Sequence, residues 1–272
     1  MDRYAVIGHP VAHSKSPQIH AAFARATGEA IEYVALLAPL DGFAKTVHAF
    51  IAAGGRGANV TVPFKQQAYA LAQQAGPRAA QARAANVLSF AEGRIVADNT
   101  DGVGLLRDLK ENLGCAVAGR RVLLMGAGGA SWGVTGPLVA EGPAVLSIVN
   151  RTRDRAVALV RHFASAAGAC VLEALEYGEL AGRRYDLVIN ATSAGLQDAM
   201  PWLPPELFLP GALAYDMMYG KATPFLAFAR AQGARSADGT GMLVEQAAES
   251  FYIWRGVRPQ TAPVIAMLRA KE

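Results

Sequence analysis

The sequence predicts an α/β fold in two domains, the first with a mainly parallel sheet. Three observations carry the prediction. Apolar strand-like runs alternate with helical runs through roughly the first 100 residues. A second strand-helix series opens at "RRVLLMGAGGAS", where a strand runs straight into glycines. The length of 272 residues, 52% hydrophobic and 18% charged, supplies a sizeable core for one large domain or two modest ones.

In chain order, "YAVIG" (4–8) is a buried strand ending in glycine. "SPQIHAAFARATG" is a helix with Pro17 near its start and Gly28 at its stop. "IEYVAL" is a strand, "FAKTVHAFIAAGG" a helix and "ANVTV" (58–62) a strand that Pro63 ends, with a helix-like stretch after it. "ANVLSF" and "RIVADN" pair about a turn at Glu92 and Gly93. A helix spans about 102–113. Strands then follow at 122–125, 145–149, 187–189 and 213–217, separated by helices, as in a mononucleotide-binding unit. From Gly241 the tail "GMLVEQAAESFYIWRG" is amphipathic and helical.

The formal net charge of +4 is spread along the chain, which argues against nucleic acid and suits a small anionic ligand. Two cysteines, Cys115 and Cys170, lie far apart, so a disulfide framework is not expected and a reducing compartment fits. No apolar run nears the roughly 20 residues that cross a bilayer. The start breaks at Gly8 and Pro10, too early for a signal segment. These readings predict a cytoplasmic protein without a membrane partner. The five histidines show no ligand spacing and no metal is expected.

Strand 121–125 leads into Gly126, Ala127, Gly128, Gly129, Ala130 and Ser131. Glycines allow a tight turn and let backbone N–H groups approach a pyrophosphate at a helix N-terminus. Ser131 stands where the common pattern has Gly or Ala. The next strand ends in Asn150, Arg151, Thr152, Arg153, Asp154 and Arg155. An acidic residue at the strand end would hold a ribose 2′-hydroxyl. Arginine there suits a 2′-phosphate, so the expected cofactor is NADP(H).

Taken singly, Ser16 and Asp101 read as helix N-caps, Ser14 as a loop serine, Lys65 as a surface lysine and Asn86 as a turn residue. Taken together, Ser14, Ser16, Asn59, Thr61, Lys65, Asn86 and Asp101 all lie at strand ends or in the loops after them. That is where open α/β sheets bind ligands.

The motifs "GHPVAHSKSP", "NVTVPFK", "ANVL", "DNTDG", "GAGGA", "NRT", "NATSAG" and "GTGMLVEQAAESFYIW" resemble the shikimate dehydrogenase family, in order, over about residues 7–256. The resemblance implies a substrate domain of residues 1–101 plus 242–272 and a Rossmann-type NADP-binding domain of residues 102–241. It implies reversible NADP-dependent reduction of 3-dehydroshikimate to shikimate, in aromatic amino-acid biosynthesis, by a monomer or homodimer. Ser14 and Ser16 would hold the substrate carboxylate. Thr61, Lys65, Asn86 and Asp101 would hold ring oxygens, and Asn59 would shape the pocket. Gln246 from the tail helix and Tyr215 from a cofactor-domain strand would also reach the substrate. Gly126, Gly128, Gly129 and Ala130 would cradle pyrophosphate, and Asn150, Arg151, Thr152 and Arg155 would take the 2′-phosphate end. Thr192, Ser193, Met217 and Gly239 would border the nicotinamide. Lys65 would supply the proton during ketone reduction, oriented and kept charged by Asp101. Two stretches depart from the family, "SWGVTGP" with its bulky Trp132, expected under the cofactor helix, and "MMYGKATPF" without Asn-Pro. Alternatives are a quinate/shikimate dehydrogenase using NAD, a paralogue with a related substrate such as aminoshikimate, and a non-catalytic shikimate-binding regulator.

Overall fold

A computed structural model describes residues 1–192, 194 and 199–270. The chain forms two compact units, Met1–Gly104 with Val244–Leu268, and Leu105–Leu243 with the chain end from Arg269.

The first unit runs β1 (Asp2–Gly8), α1 (Ser16–Thr27), β2 (Ile31–Leu37), α2 (Phe43–Ala52), β3 (Gly55–Val60), α3 (Lys65–Leu71), β4 (Gln74–Ala75), α4 (Pro77–Ala82), β5 (Val87–Ala91) and β6 (Arg94–Asp98). Then α5 (Asp101–Arg107) begins. Among the described residues the strands form one six-stranded sheet in the order β2-β1-β3-β5-β6-β4. Only β5 runs against its neighbours, so the sheet is mainly parallel. The turn between β5 and β6 uses positive φ at Glu92 (52°) and Gly93 (72°). One face of the sheet buries Ala5, Ile7, Ala58, Val60 and Leu88 under Phe43, Phe50 and Phe64. Of these, Ile7, Val60 and Leu88 are each worth about 1.5–3 kcal/mol when fully buried.

The expected strand 58–62 instead starts at Gly55 and ends at Val60. Gly55, expected at the end of the second helix, and Gly57, outside any expected element, are both strand positions that neighbouring rings require bare. A Cβ on Gly55 would lie 2.5 Å from the Phe50 ring, and one on Gly57 would lie 2.6 Å from Trp254 Nε1. Ser16 is not the cap of α1: Lys15 holds that position and Ser16 is the buried first residue. Asp101 likewise starts α5 instead of capping it, and its N–H donates to Asn99 Oδ1 at 3.1 Å. The helix expected to 113 changes at Asp108 into a π turn over Asp108–Asn112.

The second unit continues with β7 (Arg121–Met125), α6 (Gly129–Ala140), β8 (Val145–Val149), α7 (Arg153–Phe163), β9 (Val171–Leu175), β10 (Tyr185–Asn190), β11 (Phe208–Asp216), α8 (Pro224–Ala231) and β12 (Arg235–Ala237). These strands pair in parallel in the order β12-β11-β10-β7-β8-β9. Such a sheet is buried on both faces. Alternation along β7 bears this out, with Val122 and Leu124 in one core cluster and Leu123 and Met125 in the other. The strand order reverses between β7 and β10, which places a ligand crevice at their carboxyl ends. The chain then closes with α9 (Thr240–Arg255), whose residues from Val244 belong to the first unit, and α10 (Ala262–Arg269). Sequence reading gives no bounds for the strands β4, β9 and β12 or for the helices α3, α4, α6, α7, α8 and α10.

Candidate active site

In the first unit, the turn after β3 delivers Lys65. Thr61 keeps one more sheet bond, its N–H donating to Ile7 O at 2.9 Å. Gly8 must be bare beside it, because a Cβ there would lie 2.3 Å from Thr61 Cγ2. Phe64 is fully buried and stacks on Phe43 at 4.9 Å, anchoring the turn. Lys65 then opens α3, and its carbonyl accepts the Ala85 N–H at 2.8 Å. A cation at a helix start opposes the dipole. Asp101 offsets this, since Lys65 Nζ donates to its Oδ2 at 2.5 Å. The two side chains are only 15% and 5% exposed, so water screens the pair weakly.

Asp101 Oδ1 accepts from Asn86 Nδ2 at 2.9 Å, and that same amide lies 3.2 Å from Gln246 Oε1. Asn86 Oδ1 accepts the Thr100 N–H at 2.8 Å. Asn59 Nδ2 donates to the Asn86 carbonyl at 3.1 Å and to Ser250 Oγ at 2.9 Å. The expected residues Lys65, Asp101, Asn86, Gln246 and Asn59 therefore belong to one network. Ser14, Ser16 and Thr61 stand at the ends of β1 and β3. There the Ser16 N–H donates to Ser14 Oγ at 3.3 Å. Sequence reading missed Thr100, Ser250 and Tyr33. Ser250 carries a weak signal, four residues after Gln246 on the same helix face.

In the second unit, Gly126 turns with φ 102°, and its N–H donates to Val149 O at 2.7 Å. A side chain there would press on the Ala191 backbone at 3.2 Å. Ser131 closes the turn by donating to Gly126 O at 2.8 Å, which accounts for serine at this position. Gly128 is different, because a Cβ added to it would meet nothing within 4 Å. No side chain caps α6, which starts at Gly129 and Ala130. A bare, open glycine before an uncapped helix is a cradle fit for a pyrophosphate. Trp132 packs on α7 through His162 at 5.0 Å and Phe163 at 6.2 Å.

Beyond β8, Asn150 Nδ2 donates to the Thr152 carbonyl at 2.8 Å and ties the loop. Thr152, Arg151 and Arg155 are exposed, and no ion pair holds either arginine among the described residues. Two uncommitted guanidinium groups at a strand end fit a phosphate dianion. Burial pushes the nearby Tyr177 phenol up to about 12, against a smaller opposing pull from Arg151. After β10, Thr192 donates its hydroxyl to Asn190 Oδ1 at 2.7 Å. The Met217 N–H donates to the Asn190 carbonyl at 2.9 Å. Gly239 lies so close to this strand end that a Cβ would sit 2.4 Å from Met217 O. Ser193 lies outside the described residues.

Tyr215 is not where the sequence reading expected it. It is fully buried, and its hydroxyl donates to Asp108 Oδ2 at 2.7 Å within the second unit. Burial holds Asp108 above the usual carboxylate range. Gly241 is bare beside that carboxylate, since its Cβ would lie 1.9 Å from Asp108 Oδ1. The tyrosine nearer solvent is Tyr219, half-buried in the loop after β11.

Family models match three stretches of the chain. "Shikimate dehydrogenase substrate binding domain" covers residues 6–88, "Shikimate / quinate 5-dehydrogenase" residues 108–197, and "Shikimate 5'-dehydrogenase C-terminal domain" residues 239–269. The shikimate dehydrogenase (NADP(+)) of Dechloromonas aromatica is 58% identical, over 99% of this chain and 98% of its own. A crystal structure of an Ael1 enzyme from Pseudomonas putida is 50% identical, with TM-score 0.90 and 98% of each chain covered. The shikimate 5-dehydrogenase of Thermus thermophilus, solved with NADP(H) and shikimate, is 34% identical with TM-score 0.88, covering 100% of both chains.

Proposed function

The chain belongs to the shikimate dehydrogenase family, and on that premise we propose that it reduces 3-dehydroshikimate to shikimate with NADPH, reversibly. The observation that carries the reading is the Lys65–Asp101 pair, a largely buried ammonium and carboxylate at 2.5 Å held by Asn86. Bound NADPH would supply the hydride. Reduction of the ketone carbon leaves negative charge on its oxygen, and the Lys65 ammonium stabilises that charge and gives it a proton. Asp101 orients the ammonium and keeps it charged until the transfer. In the oxidation direction the neutral amine takes the hydroxyl proton back.

Ser14 and Ser16 hold the substrate carboxylate, and Thr61, Asn86, Asp101 and Gln246 hold its ring oxygens, with Asn59 setting the pocket wall. Tyr215 is left out of the substrate contacts, because its hydroxyl is committed to Asp108. Gly126, Gly128, Gly129 and Ala130 hold the cofactor pyrophosphate. Asn150, Arg151, Thr152 and Arg155 hold its 2′-phosphate, and Thr192, Ser193, Met217 and Gly239 border the nicotinamide. The net charge of +4 suits two anionic ligands. The partners are these small molecules, with the chain acting as a monomer or homodimer. Among the described residues no helix is long and apolar enough to cross a membrane.

A steady-state assay with shikimate or quinate, each with NADP+ or NAD+, tests the reading. Shikimate with NADP+ should give the highest kcat/KM. Quinate or NAD+ ahead would move the chain to the quinate/shikimate reading, and no turnover with any pair would leave only a binding role.

A further inference from the structure

Tyr33 lies on β2, outside the motifs of the sequence, and its hydroxyl donates to Asn59 Oδ1 at 2.7 Å. The Asn86 backbone carbonyl can only accept, so it sets Nδ2 of the Asn59 amide towards itself and leaves Oδ1 for the phenol to donate to. With Oδ1 taken, Nδ2 donates to the Asn86 carbonyl at 3.1 Å and to Ser250 Oγ at 2.9 Å. Two branches run on to the catalytic pair. Asn86 Nδ2 donates to Asp101 Oδ1 at 2.9 Å. Ser250 Oγ lies 3.3 Å from Thr100 Oγ1, and the Thr100 N–H holds Asn86 Oδ1 at 2.8 Å. Asp101 Oδ2 then accepts from Lys65.

Tyr33 is itself held. His20 stacks on its ring at 4.1 Å with 5° between planes. His20 is fully buried, and neither ring nitrogen has a partner among the described residues. It serves as a flat, uncharged plate against the phenol. Burial keeps the phenol well above its usual range, against an opposing pull from the Ser16 hydroxyl, so it stays a donor at neutral pH. Without the phenol hydroxyl, Asn59 Oδ1 would lose this donor, and the amide would be held mainly through Nδ2.

We propose that Tyr33 is a positioning residue of the reaction, fixing the Asn59 amide and, through Asn59 and Asn86, the placement of Asp101 and Lys65. The proposal rests on the reading that Lys65 and Asp101 carry the proton transfer. A double-mutant cycle on kcat/KM for shikimate with NADP+ tests it, using Tyr33→Phe, Asn59→Ser and the double variant, with thermal melts alongside. Tyr33→Phe keeps the ring and its stack. It should lose about threefold to tenfold in kcat/KM, the worth of one neutral hydrogen bond, with KM for NADP+ unchanged. In the Asn59→Ser background the same change should cost nothing further, because residues acting through one group do not add. A merely structural role would make the two losses multiply. If Asn59→Ser does not fold, Ser250→Ala replaces it, and its loss combined with Tyr33→Phe should again fall short of the product. Multiplying losses, or wild-type kcat/KM for Tyr33→Phe, overturns the proposal alone. A wild-type chain that does not oxidise shikimate overturns the functional reading and the proposal with it.

Discussion

His20 makes the stability of the protein depend on pH in a calculable way. It is fully buried against Tyr33, Phe23, Phe251 and Trp254. Burial pulls its imidazole from 6.5 down to about 3, against a smaller opposing effect of the Asn59 side chain. In the unfolded chain the ring takes a proton below 6.5, whereas in the folded chain it stays neutral until about 3. The unfolded state therefore binds more protons between those values, and stability falls as pH drops through that window. Each pH unit well inside it costs about 1.4 kcal/mol. Between pH 7 and pH 5 the loss comes to about 2 kcal/mol. Urea unfolding at the two pH values, followed by tryptophan fluorescence, measures it in the wild type and in His20→Leu. Other titrating groups cancel in the difference between the two proteins. The wild type should lose about 2 kcal/mol more than the variant on acidification. Equal losses in both would show that His20 gains a proton in the folded state as readily as in the unfolded one, and would refute the reasoning.

Arg151→Ala should raise KM for NADP+ roughly tenfold to a hundredfold, the loss of a charge-assisted phosphate contact, and leave weak NAD+ use unchanged. Equal damage with both cofactors would count against a 2′-phosphate contact. Gly128→Ala adds a methyl in open space at an extended φ of −90°, so the melting temperature should hold. KM for NADP+ should nevertheless rise, by about tenfold or more, because the methyl stands where a pyrophosphate must come close. Tyr215→Phe removes the donor to the buried Asp108 and should cost about 1–3 kcal/mol of stability, read in a thermal melt, while kcat with shikimate stays near wild type.

The two α/β units were legible because most of their strands are apolar runs of five or more residues cut by glycine and proline, as at "VLLMG" and "VTVPF". The strands β4 and β12, of two and three residues, are too short to show a period. The polar site residues were legible as a set at strand ends. Their wiring was not, since it joins residues as far apart as Asn59 and Ser250, 191 positions along the chain. Tyr33 has no local signal, because its role comes from the parallel pairing of β1 with β2 and from the packing of α1 and α9. Tyr215 was misassigned because inward and outward positions alternate at a strand end, and only the fold shows that this one points at Asp108. Ser131 looked like a departure from the glycine pattern until its hydroxyl was seen closing the turn on Gly126.

Lys65 is the group that moves the proton in the proposed reaction. The direct measurement is kcat and KM of folded Lys65→Ala with shikimate and NADP+. If the ammonium acts in the transition state, kcat should fall about a hundredfold to ten-thousandfold, far more than KM rises. A variant with near-wild-type kcat and a raised KM would contradict the account and reduce Lys65 to a clamp on the substrate.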